Sequence, residues 1–170
     1  MFKTSGKVVV LGIDPGSRCT GYGVVRETSG CLELLDTGTI RTNGRDDLSM
    51  KLDTIFTRIC SLIREYSPDQ AAVEEVFTSK NASSALKLGQ ARGAVIVACS
   101  HQRVPVYSYE PTLVKKSLVG AGRAGKDQVA FMVAQMLGCR PNWAQDASDA
   151  LAVAIAHLNQ RRAAVFGVLT

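Results

Sequence analysis

Residues 7–13 (KVVVLGI) are β-branched and almost continuously apolar, the pattern of a strand covered on both faces. Two further strand patterns follow closely, at 20–26 (TGYGVVR) and 32–41 (LELLDTGTIR), with turn chemistry between them at Glu27–Gly30. Links this short predict an antiparallel meander. The pattern then changes period. Leu48, Leu52, Ile55, Phe56, Ile59, Leu62 and Ile63 recur at the spacing of one helix face, with Asp46 or Asp47 available to cap its start and Pro68 beyond its end. A fourth strand, 70–76 (QAAVEEV), is reached through that helix and so is predicted to run parallel to its neighbour. The remainder reads as a helix over 83–101 with Asn81 as N-cap, a strand over 104–109, and helices over 112–118, 126–137 and 144–159. The glycine-rich segment Val119–Gly125 (VGAGRAG) reads as a loop. The order β-β-β-α-β-α-β-α-α-α predicts an α/β protein: a mixed five-stranded sheet with helices on both faces.

A chain of 170 residues with 46% hydrophobic and 21% charged residues fits one globular domain spanning 1–170, with residues 1–6 and about 162–170 peripheral. The longest apolar runs, Val8–Ile13 and Ala94–Cys99, are far short of the roughly 20 residues of a membrane span. No membrane association is expected, and the protein reads as cytoplasmic. Five cysteines without a C-x-x-C pair, and only two histidines, favour reduced thiols over a disulfide framework or zinc site.

Charge is distributed unevenly. Residues 1–85 hold ten Lys/Arg against eleven Asp/Glu, and residues 86–170 hold ten against four. Between Lys80 and Lys126 stand eight basic residues (Lys80, Lys87, Arg92, Arg103, Lys115, Lys116, Arg123, Lys126) and a single acid, Glu110. A solvated surface normally mixes signs. A run this one-sided is suited to a polyanion, although charge runs are often only solvated faces.

Three acidic positions stand out against apolar surroundings. Asp14 ends the first strand, where Pro15 keeps it extended and Gly16 permits close approach, although Asp-Pro-Gly also serves as a plain strand-ending turn. Glu74 and Glu75 lie in an apolar strand whose alternation sends them to opposite faces. One is free to meet Asp14, unless the strand is an edge and both are wet. Asp146 and Asp149 share one face of the last helix and flank its apolar stripe of Trp143, Ala147, Ala150, Leu151, Ala154 and Leu158. Acids in a first helical turn also occur simply because the helix dipole favours them. Four carboxylates gathered together repel one another, and a hard divalent cation removes that cost. An oxygen-only set suits Mg²⁺ or Mn²⁺, and a pair of such ions about 3.5–4 Å apart serves phosphodiester cleavage.

The segments GIDPGSRCTGYGVV, VEEVFTSKNASSALKLGQARG, VGAGRAGKDQV and DASDALAVAIAH, in this order from about residue 8 to about residue 160, resemble the RuvC family of bacterial Holliday-junction resolvases. The resemblance implies a ribonuclease H-like fold and a crossover junction endodeoxyribonuclease acting in homologous recombination and DNA repair. It implies a homodimer that nicks two opposing strands of a four-way DNA junction and leaves 5′-phosphate ends. It further implies catalytic, metal-binding acids at Asp14, Glu74, Asp146 and Asp149, dependence on Mg²⁺ or Mn²⁺ with two ions per site, and cooperation with the RuvA–RuvB branch-migration complex. Phe77, just after the glutamate strand, corresponds to an aromatic that stacks on a base near the crossover, a contact worth about 1–3 kcal/mol. Burial in the core is the other reading for a phenylalanine. Lys115 and Lys126 match lysines near the scissile phosphate. Lys80, Lys87, Arg92, Lys116 and Arg123 complete the expected DNA-binding set. Glu75 stands where many relatives carry Gln, so two adjacent glutamates compete for one metal position, and the family register points to Glu74. An RNA-processing nuclease of the same superfamily is the alternative. A sugar-kinase or actin-like ATP-binding domain would need two such domains, and a junction-binding protein without catalysis would not need the complete acidic set.

Overall fold

The computed structural model of the chain describes residues 6–75 and 82–165. Among the described residues five strands and five helices follow in the order β1 (Val8–Asp14), β2 (Cys19–Thr28), β3 (Cys31–Arg41), α1 (Leu48–Tyr66), β4 (Gln70–Glu74), α2 (Ala82–His101), β5 (Val106–Tyr109), α3 (Pro111–Val119), α4 (Lys126–Leu137) and α5 (Gln145–Val165). They form a five-stranded sheet in the order β3-β2-β1-β4-β5. The β1–β2 and β2–β3 pairs are antiparallel, and the β1–β4 and β4–β5 pairs are parallel, as the loop lengths predict.

The sheet is covered on both sides because alternate residues of its central strands are apolar on both faces. Val9, Leu11, Ile13, Val24 and Val73 pack with α1 and α2, through Ile55, Ile59, Leu62, Val95 and Cys99. Val10, Val25 and Ala72 face the other way, into a cluster with α3, α4 and α5. The start of α1 is capped by Asp47, whose side chain accepts a hydrogen bond from the Met50 N–H at 3.0 Å. The candidate cap Asn81 lies outside the described residues. β5 begins at Val106, later than the pattern suggests, because Pro105 has no N–H to give the ladder; its carbonyl still accepts from the Ala71 N–H.

The last helix departs most from expectation. The sequence suggests a single apolar stripe, but every residue from Ala150 to Leu158 is buried. α5 lies against β1 and β2 on one side and α3 and α4 on the other, so it is a central helix with no solvent face over that stretch. It reaches the sheet over three glycines. A Cβ on Gly12 would overlap the Ala150 carbonyl oxygen, one on Gly21 the Asp146 carbonyl, and one on Gly23 the Leu151 side chain. α5 also runs on to Val165, beyond the expected end. There Arg161 and Arg162 approach the buried Glu27 carboxylate of β2 at 3.9 and 3.6 Å. The helix is thus tied to the sheet as far as Arg162.

A buried polar chain joins α5 to β4 and β5. Gln70 Oε1 can only accept, so His157 Nε2 donates to it at 2.7 Å, and Nδ1 is left to accept from the Tyr109 hydroxyl at 2.6 Å. Burial, assisted by the charge of Arg161, pushes the His157 pKa down to about 4, which keeps this tautomer neutral.

Candidate active site

The strand register sets two of the four acids side by side. Ile13 pairs with Val73 in parallel, so the next residues, Asp14 and Glu74, end adjacent strands on the same side. That side is the one covered by α5, since Gly12 of the same face meets Ala150. The two carboxyl groups are hydrogen-bonded to each other. Burial and then mutual repulsion raise the Glu74 pKa to about 8; burial, together with the charges of Asp149 and Asp146, raises that of Asp14 to about 6. The pair therefore titrates as a dyad that shares a proton near neutrality.

The first turns of α5 bring the other two. Asp14 lies opposite Gly21 in the β1–β2 ladder, and the Asp146 backbone rests directly on Gly21. Asp149 follows three residues later on the same helix face. Lys126, at the start of α4, places its Nζ 2.9 Å from Asp149 Oδ2, and Gln145 Nε2 donates to Asp149 Oδ1 at 2.9 Å. Lys126 also feels the charges of Asp14 and Glu74, and its pKa is raised chiefly by the bond to Asp149. A concave site between α3, α4 and α5 is lined by Glu74, Lys115, Lys126 and Asp149, with Pro111, Val114, Val129 and Ala152 as its apolar wall.

Other neighbours support the acids, among them Arg92, expected from the sequence only as a DNA contact. Arg92 of α2 donates from Nε to the Glu74 carbonyl at 3.3 Å and from Nη2 to Ser108 Oγ at 2.6 Å, so it braces the end of β4 from the opposite layer. The Cys19 thiol, raised in pKa by burial and by a hydrogen bond to Asp146, stands beside that carboxylate. The acids were read as a set without a cysteine, and the β1–β2 turn places one at its margin. The 15–18 loop is closed by Thr20, whose hydroxyl bonds Gly16 at both N and O. Gln145 and Cys19 carry no signal of their own in the sequence. Only the approach of α5 to the β1–β2 turn brings them to the acids.

The remaining candidate residues occupy several surfaces. Lys115 and Lys116 are on α3, Arg123 is exposed in the glycine loop, and Lys87 is on α2 in the layer across the sheet. The basic stretch is therefore divided between both helical layers. Phe77 and Lys80 lie outside the described residues. Glu75 follows the end of β4, and its N–H donates to the Tyr109 carbonyl at 2.8 Å.

The four acids present hard oxygen donors from the ends of β1, β4 and α5. Such a donor set, in which burial and neighbouring charge hold the Asp14 and Glu74 carboxyls above their ordinary pKa, fits Mg²⁺ or Mn²⁺. As the side chains lie, no three His, Cys, Asp or Glu groups among the described residues are arranged to hold an ion. Asp14 and Glu74 bond each other, and Asp149 bonds Lys126.

A mixed sheet of this order, crossed by a helix whose first turns meet the ends of its two central strands, defines an α/β protein of the ribonuclease H-like fold. The family model described as crossover junction endodeoxyribonuclease RuvC matches residues 10–157, and the chain belongs to that family. The crossover junction endodeoxyribonuclease RuvC of Solidesulfovibrio magneticus is 58% identical over 158 residues, covering 93% of this chain and 94% of that protein. The Oleidesulfovibrio alaskensis protein of the same name is 55% identical, covering 94% and 95%. Among solved structures, Thermus thermophilus RuvC in complex with a Holliday junction substrate superposes with a TM-score of 0.85 at 36% identity, over 92% of this chain and 96% of that one.

Proposed function

We propose that this chain is an endonuclease that resolves four-way DNA junctions by metal-dependent nicks in opposing strands, in recombination and repair. The observation that carries the reading is the meeting of Asp14, Glu74, Asp146 and Asp149 at one end of the sheet in a member of this family. Asp14, Glu74, Asp146 and Asp149 would hold Mg²⁺ or Mn²⁺, two ions per site. When bound, these supply charge neutralisation at the scissile phosphate and lower the pKa of the attacking water. Asp14 and Glu74 would have to give up their shared proton to serve as ligands, which ties activity to pH. Lys115 and Lys126, lining the same concavity, contact the phosphate being cut, and Arg92 holds the Glu74 backbone in place. Phe77, Lys80, Lys87, Lys116 and Arg123 extend the contact to the junction arms.

A homodimer is supported by the surface of α2. Leu86 and Val97 are three turns apart on one helix face and are 65% and 58% exposed, and a Cβ on Gly89 or Gly93 between them would meet open space. A second copy covering this face would present two sites to opposing strands. No described helix is long and apolar enough to cross a membrane. The reading places its work on chromosomal DNA in the cytoplasm, beside a RuvA–RuvB motor.

The test is cleavage of an end-labelled four-way DNA junction beside linear duplex and structured RNA, with Mg²⁺, Mn²⁺, Ca²⁺ or EDTA. Symmetric nicks in the junction alone are expected with Mg²⁺ or Mn²⁺, and Asp146→Asn should abolish them while junction binding persists. Preferential cleavage of the RNA would move the reading to the alternative substrate.

A further inference from the structure

Lys126 ties the start of α4 to the acidic cluster. Its Nζ lies 2.9 Å from Asp149 Oδ2, and the same ammonium is within electrostatic reach of Asp14 and Glu74. The pair is unequal in exposure, with the lysine side chain 63% exposed and the Asp149 side chain 19%. The stem can therefore swing outward into solvent while the carboxylate stays in the site. The other Asp149 oxygen is held by Gln145, so both oxygens are already engaged. This occupancy agrees with the lack of any ready three-donor arrangement among the described residues.

We propose that Lys126 is the resident counter-cation of the acidic cluster, and that a divalent ion must displace it from Asp149 to be fully bound. This rests on the metal site proposed above. Lysine suits the task because it is a compact point charge on a flexible stem, able to exchange one anionic partner for another. A DNA phosphate at the concavity offers the displaced ammonium a new partner. Phosphate and divalent ion then favour each other: DNA draws Lys126 off Asp149, and the ion finds Oδ2 free. Reciprocity follows from linkage, since each ligand raises the affinity of the other by the same factor. The device keeps the metal-free cluster electrically compensated and makes full metal loading depend on substrate.

The test is Mn²⁺ binding measured by electron paramagnetic resonance and calorimetry on the full chain, with and without junction DNA, and with no cleavage readout. Lys126→Met and Lys126→Gln should each tighten Mn²⁺ binding in the absence of DNA by roughly three- to fivefold, the scale of a half-exposed ion pair. Removing any nearby positive charge also tightens binding through space. Lys115→Ala, which lines the same concavity without bonding Asp149, measures that contribution. The proposal stands if the Lys126 variants exceed Lys115→Ala and lose most of the tightening that junction DNA gives the parent protein. It is overturned if they match Lys115→Ala, or bind Mn²⁺ no better than the parent. If the parent binds no Mn²⁺ up to millimolar concentrations, or Asp14→Asn leaves its binding unchanged, the metal-site reading itself fails as well.

Discussion

Replacing Gly12 with alanine should lift α5 off the sheet and take half of the acidic cluster with it. The new methyl would overlap the Ala150 carbonyl oxygen and come within 2.7 Å of Ala154 Cβ and 2.9 Å of Ala154 N. Carbon atoms settle at about 3.5–4.0 Å, so the shortfall is roughly 1 Å. Neither neighbour can rotate aside, because one is backbone and the other is a methyl with no further torsion. α5 must therefore move as a body, and it is buried along this length. Overpacking of this kind costs about 1–3 kcal/mol, and a rigid backbone contact points to the upper end. Asp149 and Asp146 ride on the same helix just before Ala150, whereas Asp14 and Glu74 stay with the strands. A 1 Å misplacement of reacting groups costs on the order of 100-fold in rate. Urea denaturation and single-turnover junction cleavage measure the two effects. Gly44→Ala is the control, since its Cβ would meet nothing within 4 Å. A Gly12→Ala protein with the parent's stability within about 0.5 kcal/mol and an unchanged cleavage rate would refute this account of how α5 is seated.

Other consequences follow from the buried titratable groups. Asp14 and Glu74 hold protons more tightly in the folded chain, at about 6 and 8, than at their ordinary values of 3.8 and 4.5. Without metal, stability should therefore be fully present below about pH 4 and be lost as the pH rises through 8, read as a falling urea midpoint in EDTA. Asp14→Asn should abolish cleavage yet stabilise the metal-free protein at pH 8 by about 2 kcal/mol, because one buried charge is gone; a destabilised variant would contradict the crowding argument. His157 works in the opposite direction. Its folded pKa of about 4 lies below the ordinary 6.5, so its contribution is present above pH 6.5 and lost as the pH falls through 4. His157→Gln should flatten that acid limb, and Tyr109→Phe should cost about 1–3 kcal/mol by leaving Nδ1 unpaired. Val97→Glu should shift the protein toward monomer in light scattering if α2 is the dimer face, and unchanged mass would place the interface elsewhere.

Much of this protein is determined by local pattern. The strand and helix order, the parallel joining of β4 and the capping of α1 by Asp47 follow from side-chain period, turn residues and connection length, which act over a few residues. Acidic positions in or beside apolar segments were conspicuous because burying a carboxylate is costly, while the choice of Glu74 over Glu75 came from the family resemblance. The burial of α5 on all sides was not legible. Its alanines and leucines suit one covered face or two, and only the packing of α3 and α4 across it, with glycines opposite in β1 and β2, decides between them. The Lys126–Asp149 bond, the Arg92 brace beneath Glu74 and the Cys19 thiol beside Asp146 were equally silent. Each joins residues 18 to 127 positions apart. A contact of that span is fixed by where whole elements stack, and a chain's local preferences carry no record of it.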